Sequence, residues 1–93
     1  MLEKVKGALR LTTNDFDVEL ALLIDAALLD LGIAGVDKRD QTDPLVIRAV
    51  TTYCKLHFEI LDSAEYDRLK ASYDEQKAQL GMSENYTTFE SEG

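Results

Sequence analysis

The stretch Asp43-Pro-Leu-Val-Ile-Arg-Ala-Val-Thr-Thr-Tyr-Cys-Lys-Leu-His-Phe-Glu-Ile-Leu61 constrains the fold more than any other part of the chain. It reads as one helix of about five turns. Asp43 offers a capping carboxylate, and Pro44 suits the first helical position, where its missing N–H breaks no bond and its fixed φ is already helical. At about 100° per residue, Arg48, Thr51, Thr52, Lys55 and Glu59 gather on one narrow side. Leu45, Val46, Val50, Cys54, Leu56, Phe58 and their apolar neighbours, with His57 among them, cover the rest. A helix on the outside of a domain needs only one apolar stripe. This one has to be surrounded, either by the other helices or by another subunit.

Ninety-three residues make a single domain with a modest core. The net charge of −8 works against random adhesion to nucleic acid or anionic membrane, which depends on basic groups that neutralise phosphates. One cysteine excludes an internal disulfide, and one cysteine with one histidine is too few for a self-contained structural zinc site. The start, Met1-Leu-Glu-Lys, carries no long apolar stretch, and no uninterrupted run of about 18 apolar residues appears. The expectation is a soluble, intracellular protein with no membrane partner. Asn85-Tyr-Thr87 matches a glycosylation acceptor, a match that reads as accidental without a secretion signal.

Around the central helix the periodicity predicts three more, giving helices near 2–10, 15–31, 44–61 and 63–80 and an all-α, four-helix bundle-like fold. Leu2, Val5 and Leu9 form the apolar side of the first, with Lys4, Lys6 and Arg10 on its other sides and Gly7 weakening its interior. Asn14 or Thr13 can cap the second, whose first turns hold Asp15, Asp17 and Glu19, and Gly32 is the expected left-handed residue at its end. Asp62 followed by Glu65 forms a possible capping box for the fourth, which Gly81 is expected to end. In that helix Ala64, Tyr66, Leu69, Tyr73, Gln76 and Leu80 share a bundle face, while Glu65–Arg68, Asp67–Lys70 and Lys70–Asp74 are within pairing distance outside it. The helical domain spans residues 1–81, and residues 82–93 form a C-terminal tail.

The second helix has two apolar surfaces. Phe16, Leu20, Leu23, Ile24, Ala27 and Leu31 form a stripe that can seal the core. Val18, Leu22 and Leu29 form another, roughly opposite, with Asp25 among them and Glu19 and Asp30 beside them. Either a compact bundle uses both sides internally, or Val18, Leu22, Asp25 and Leu29 face a neighbouring copy. Two other segments have contact potential: the ten-residue loop 33–42, and the tail, whose Tyr86 and Phe89 are large groups for a free end. Tyr86 and Phe89 either dock, on a neighbour or on their own domain, or move freely.

Reactive chemistry finds little support. Cys54 and His57, three residues apart, can hold two metal ligands or set a base beside a thiolate, but no second ligand pair accompanies them. They read as a buried cysteine and a hydrogen-bonded core histidine. The carboxylates are plentiful without being paired around a cleft. Gly32 and Gly35 lack the GKT or GKS of a phosphate loop. No catalytic residue, no metal ligand and no cofactor is expected.

Four segments also carry a resemblance. They are Leu2-Glu-Lys-Val-Lys-Gly-Ala-Leu-Arg-Leu11, Asp15-Phe-Asp-Val-Glu-Leu-Ala-Leu-Leu-Ile-Asp-Ala-Ala27, Asp43-Pro-Leu-Val-Ile-Arg-Ala-Val50 and Tyr66-Asp-Arg-Leu-Lys-Ala-Ser-Tyr-Asp-Glu-Gln-Lys-Ala-Gln-Leu80. In this order and spacing the chain resembles the head–tail connector (DNA-packaging) proteins of long-tailed bacteriophages and prophages. The resemblance implies a non-enzymatic, four-helix adaptor at the virion neck, assembled in the host cytoplasm. Its implied form is a dodecameric ring below the portal protein. That ring extends the channel through which genomic DNA passes without sequence-specific binding, and it receives a downstream connector or tail-completion protein. Leu28-Leu-Asp-Leu31 stands where many relatives carry an aromatic cluster. The alternative is a small helix-turn-helix DNA-binding regulator. It is disfavoured because a recognition helix needs basic and hydrogen-bonding groups, and the central helix offers only Arg48, Lys55 and its threonines on one narrow side.

Overall fold

The computed structural model describes residues 1–37, 40–83 and 85–87. The chain folds as α1 (Leu2–Ala8), α2 (Asp17–Ile33), α3 (Pro44–Phe58) and α4 (Ser63–Met82), with no strand among the described residues. α3 packs against each of the other three helices, which gives its broad apolar surface the surroundings it requires. Val46, Ala49, Val50 and Cys54 are completely buried, against Leu20, Ile24 and Leu31 of α2, Val5 of α1, and Tyr73 and Leu80 of α4.

Local chemistry sets the start of α3. The Asp43 carboxylate accepts from the backbone N–H of Leu45 at 2.8 Å and of Val46 at 3.3 Å, and Pro44 follows it. The helix ends at Phe58, three residues before the expected end at residue 61. Glu59 is extended (φ −87°, ψ 154°), and Ile60 is wholly exposed rather than part of the apolar face. The reason lies in the next helix: Asp62 caps α4 by accepting from Glu65 N–H at 2.8 Å, so the chain has to run extended to reach it.

Glycine positions also differ from expectation. Gly32 lies inside α2, and the left-handed residue is Gly35 (φ 94°). The Val36 N–H donates to Leu31 O at 2.9 Å and the Gly35 N–H to Gly32 O at 3.0 Å, a Schellman closure whose apolar partner is the fully buried Val36. Gly81 does not end α4, which continues to Met82. A Cβ there would lie 3.0 Å from the Ala34 carbonyl oxygen, so glycine allows α4 to pass close to the end of α2. α1 ends in the same 6→1 geometry as α2, Leu11 N–H to Lys6 O at 2.9 Å, but there the left-handed residue is Arg10 (φ 60°).

Polar ties join helices at their ends. Lys6, expected on the outside of α1, is buried. Its ammonium donates to Asn14 Oδ1 at 2.6 Å and lies 2.9 Å from Asp17 Oδ1, a contact that is ionic rather than well directed as a hydrogen bond. Asn14 is thereby occupied, and α2 begins at Asp17 with no side-chain cap. Thr13 Oγ1 instead accepts from Asp15 N–H at 3.1 Å, one turn short of that start. On α4, Lys70–Asp74 closes at 3.0 Å, whereas Glu65–Arg68 and Asp67–Lys70 do not.

Asp30 ties α2 to α4. The Tyr73 hydroxyl donates to its Oδ2 at 2.6 Å, and Lys77 Nζ lies 3.1 Å from the same oxygen and 5.1 Å from the Tyr73 ring centroid. Partial burial opposes ionisation of Asp30. The bonds from Tyr73 and Lys77 and the lysine's charge together outweigh it and hold the carboxyl below its ordinary value. Burial, and then donation to this carboxylate, push the Tyr73 phenol up.

A carboxyl whose value is lower folded than unfolded contributes stability above its unfolded value, near 3.9, and loses that contribution as pH falls through the folded value. Tyr73→Phe is therefore expected to cost about 1 kcal/mol at neutral pH, since one hydrogen bond is lost. The deficit relative to the native protein is expected to shrink below about pH 4 as Asp30 is protonated. Urea denaturation of both proteins at pH 7 and pH 3 measures the difference.

Candidate assembly surface

A cleft of about 270 Å³, open to solvent, is lined by Asp30, Tyr53, His57, Lys70, Tyr73 and Lys77. A cavity of about 90 Å³ between α3 and α4 is lined by Leu45, Arg48, Gln76, Leu80 and Tyr86, well below the roughly 300 Å³ at which small-molecule sites begin. Among the described residues no group of three potential metal ligands comes together. Among the described residues no helix is long and apolar enough to cross a membrane.

Cys54 and His57 are separated by their environments. Cys54 is completely buried, and burial alone pushes its thiol up to about 11, which keeps it protonated and unreactive at neutral pH. His57, expected in the core, is exposed. Its ring lies against Tyr53, with centroids 4.3 Å apart. Three residues on a helix turn the side chain about 60° from its predecessor, enough to carry it out of the covered arc near the end of α3.

The exposed chemistry concentrates on α2. Leu20, Ile24, Ala27 and Leu31 point into the core, Leu23 is half-buried, and Phe16 lies at the edge with its ring 5.4 Å from that of Phe58. On the opposite side Val18 is 78% exposed, Leu22 65%, Leu29 69% and Ile33 86%, with exposed Asp25 set among them. Among the described residues no helix covers this second stripe. An open groove of about 620 Å³, lined by Asp25, Leu28, Leu29, Asp37 and Gln41, continues this surface toward the loop after α2. Soluble monomers rarely leave so many large apolar groups together in water.

Tyr86 docks on its own chain. Its hydroxyl donates to the Asp43 carboxylate at 2.9 Å, and its backbone carbonyl accepts from Asp37 N–H at 2.8 Å. The bond to Asp43 raises the Tyr86 phenol above its ordinary value. One carboxylate therefore starts α3 and anchors the C-terminal segment, a pairing across 43 residues that no local pattern in the sequence announces. Phe89 lies outside the described residues.

The described residues form a four-helix module that leaves an apolar face of α2 open. The particular family follows from sequence comparison. The family model described as phage connector protein matches residues 1–89, and the chain belongs to that family. Its members are structural proteins of the virion neck, which assemble with portal or tail proteins. Searches of curated proteins and of solved structures return no match.

The two faces of α2 predict opposite responses to one substitution. Leu22→Asp is expected to leave the monomer's thermal transition nearly unchanged, since surface changes lie within about 0.5 kcal/mol. Ile24→Asp is expected to abolish a cooperative transition, because an unpaired carboxylate enters the core. Equal collapse of the two melting curves would show that both faces hold the monomer.

Proposed function

We propose that this chain is a ring-forming adaptor that sits below the portal at the head–tail junction. There it extends the DNA channel, supports packaging and retention of the genome, and presents the next surface for tail attachment. The exposed stripe of Val18, Leu22 and Leu29 with Asp25 supports this reading most directly, because a connector subunit needs a surface for its neighbour that its own fold does not use. A dodecamer is the expected form. In this reading residues 1–81 build the ring's body. The segment from residue 82 reaches the portal or a downstream connector, with Tyr86 as its anchor and Phe89 as a contact.

The charge of −8 fits the same role. Phosphate contacts repeated around a ring would retard the moving duplex, whereas acidic walls keep it at a distance. A helix-turn-helix regulator is a poorer fit, since α3 is packed on three sides and offers no free basic helix to a groove.

The purified protein is expected to bind assembled portal and to show no measurable affinity for free duplex DNA at physiological ionic strength, where distant fields are screened beyond about 8 Å. Binding to both can be compared by sedimentation and electron microscopy. Tight, salt-sensitive binding to an operator, with no portal association, would reverse the assignment in favour of the regulator.

A further inference from the structure

The exposed face of α2 has features that select its partner. Val18, Leu22, Asp25 and Leu29 follow steps of four, three and four residues, the spacing at which one helix meets another along a seam. Asp25 stands near the middle of that seam and is exposed. In an isologous contact the same patch appears on both sides of a two-fold axis. Pairing this seam with its own copy would bring Asp25 close to its equivalent and remove both carboxylates from water, an arrangement that like charges disfavour. The seam is suited to an unlike surface carrying positive charge.

α2 contains four acids and no base. Asp17 and Asp30 are engaged inside the monomer by Lys6 and Lys77, which leaves Glu19 and Asp25 exposed without a described partner. Among the described cations, Lys6, Lys70 and Lys77 are held in ion pairs. Of the others, Lys55 is half-buried in the last turn of α3, Arg68 sits on an acidic helix beside Glu65 and Asp67, and Arg48 lines the small cavity near Tyr86.

Lys4 and Arg10 differ from these. They flank Gly7 and Ala8, and all four residues are exposed. A Cβ added at Gly7 would meet nothing within 4 Å, so this part of α1 is a bare backbone surface that a neighbouring helix can approach closely. Arg10 also occupies a left-handed conformation (φ 60°) in which glycine would be less strained, and its side chain makes no hydrogen bond or ion pair among the described residues to account for its presence.

We infer that the α2 seam of one copy packs on the α1 edge of the next. Leu22 lies over Gly7 and Ala8, with Val18 and Leu29 to either side along the edge, while Glu19 and Asp25 face Lys4 and Arg10. The inference rests on the connector reading and supplies its subunit contact. Because seam and edge are different surfaces, each added copy leaves one of each free. The contact therefore repeats head to tail and closes into a ring where the rotation permits.

Two variants test the pairing, each broken on one surface: Leu22→Asp on the seam, and Lys4→Glu with Arg10→Glu on the edge. Sedimentation velocity at concentrations where the native protein assembles is expected to find each variant monomeric. An equimolar mixture is expected to give a heterodimer and nothing larger, since one intact seam and one intact edge remain. Adding Asp25→Lys to the edge variant is expected to recover association. Arg10→Gly alone is expected to weaken association by about tenfold, the scale of one lost interfacial charge contact, while the monomer melts no lower than the native protein. It thereby separates loss of contact from loss of fold.

Native-like assembly of the edge variant, a mixture that stays monomeric, or a native protein that never self-associates would each overturn the pairing. Portal binding is scored separately on the native chain. Its loss removes the connector reading, whereas normal portal binding by an edge variant that still forms native-like rings removes only the α1–α2 contact.

Discussion

Burial of α3 is the constraint on which the rest of the structure depends. A helix with Val46, Val50 and Cys54 completely buried, and Leu56 nearly so, has to be covered on several sides. The cover is supplied by three helices, one of which, α1, has only seven residues and would not persist in isolation. Each covering helix gives α3 one apolar face. For α4 and α1 the outer surface is largely polar, but for α2 it is not.

Polar side chains fix how the cover is arranged. Lys6 carries α1 to the start of α2, Asp30 joins α2 to Tyr73 and Lys77 of α4, and Asp43 holds Tyr86 at the start of α3. Hydrophobic burial is nondirectional, so short helices packed on a smooth apolar cylinder can slide or rotate at little cost. A charge-assisted bond at a helix end has a preferred distance and direction, and it selects one arrangement. The Asp30 bond is instructive because α2 and α4 otherwise meet little: α3 lies between them. These ties keep the outer face of α2 in a constant orientation, a requirement for any subunit whose contact is repeated around an assembly.

In the proposed ring, the acidity of the chain and its exposed apolar seam serve different parts of the connector role. In the proposed contact, apolar area supplies adhesion between subunits, while Asp25 within that area discriminates against self-pairing and leaves a basic surface as the compatible partner. The remaining negative charge has its effect over longer distances, where it disfavours attachment to the genome. An adaptor around DNA needs both properties, and neither requires a reactive group.

Periodicity alone determined the four helices and the two faces of α2. Leu20, Ile24, Ala27 and Leu31 are buried while Val18, Leu22 and Leu29 are exposed, because a 3.6-residue repeat assigns each position to a side before any packing occurs. Start signals were equally local: Asp43, Pro44 and Asp62 act within three residues of themselves. The tertiary structure decided which of the two faces stays exposed, since that depends on how many helices remain to pack. It also decided the fates of Lys6 and His57. A lysine is buried when an aspartate eleven residues away is brought to it, and a histidine near a helix end is exposed when the covering helices leave its side open. Gly35 rather than Gly32 ends α2 because Val36 has to reach the core, and Tyr86 finds Asp43 only after α4 has returned alongside α3. Local backbone preferences extend over a few residues, so partners tens of residues apart meet only in the folded chain.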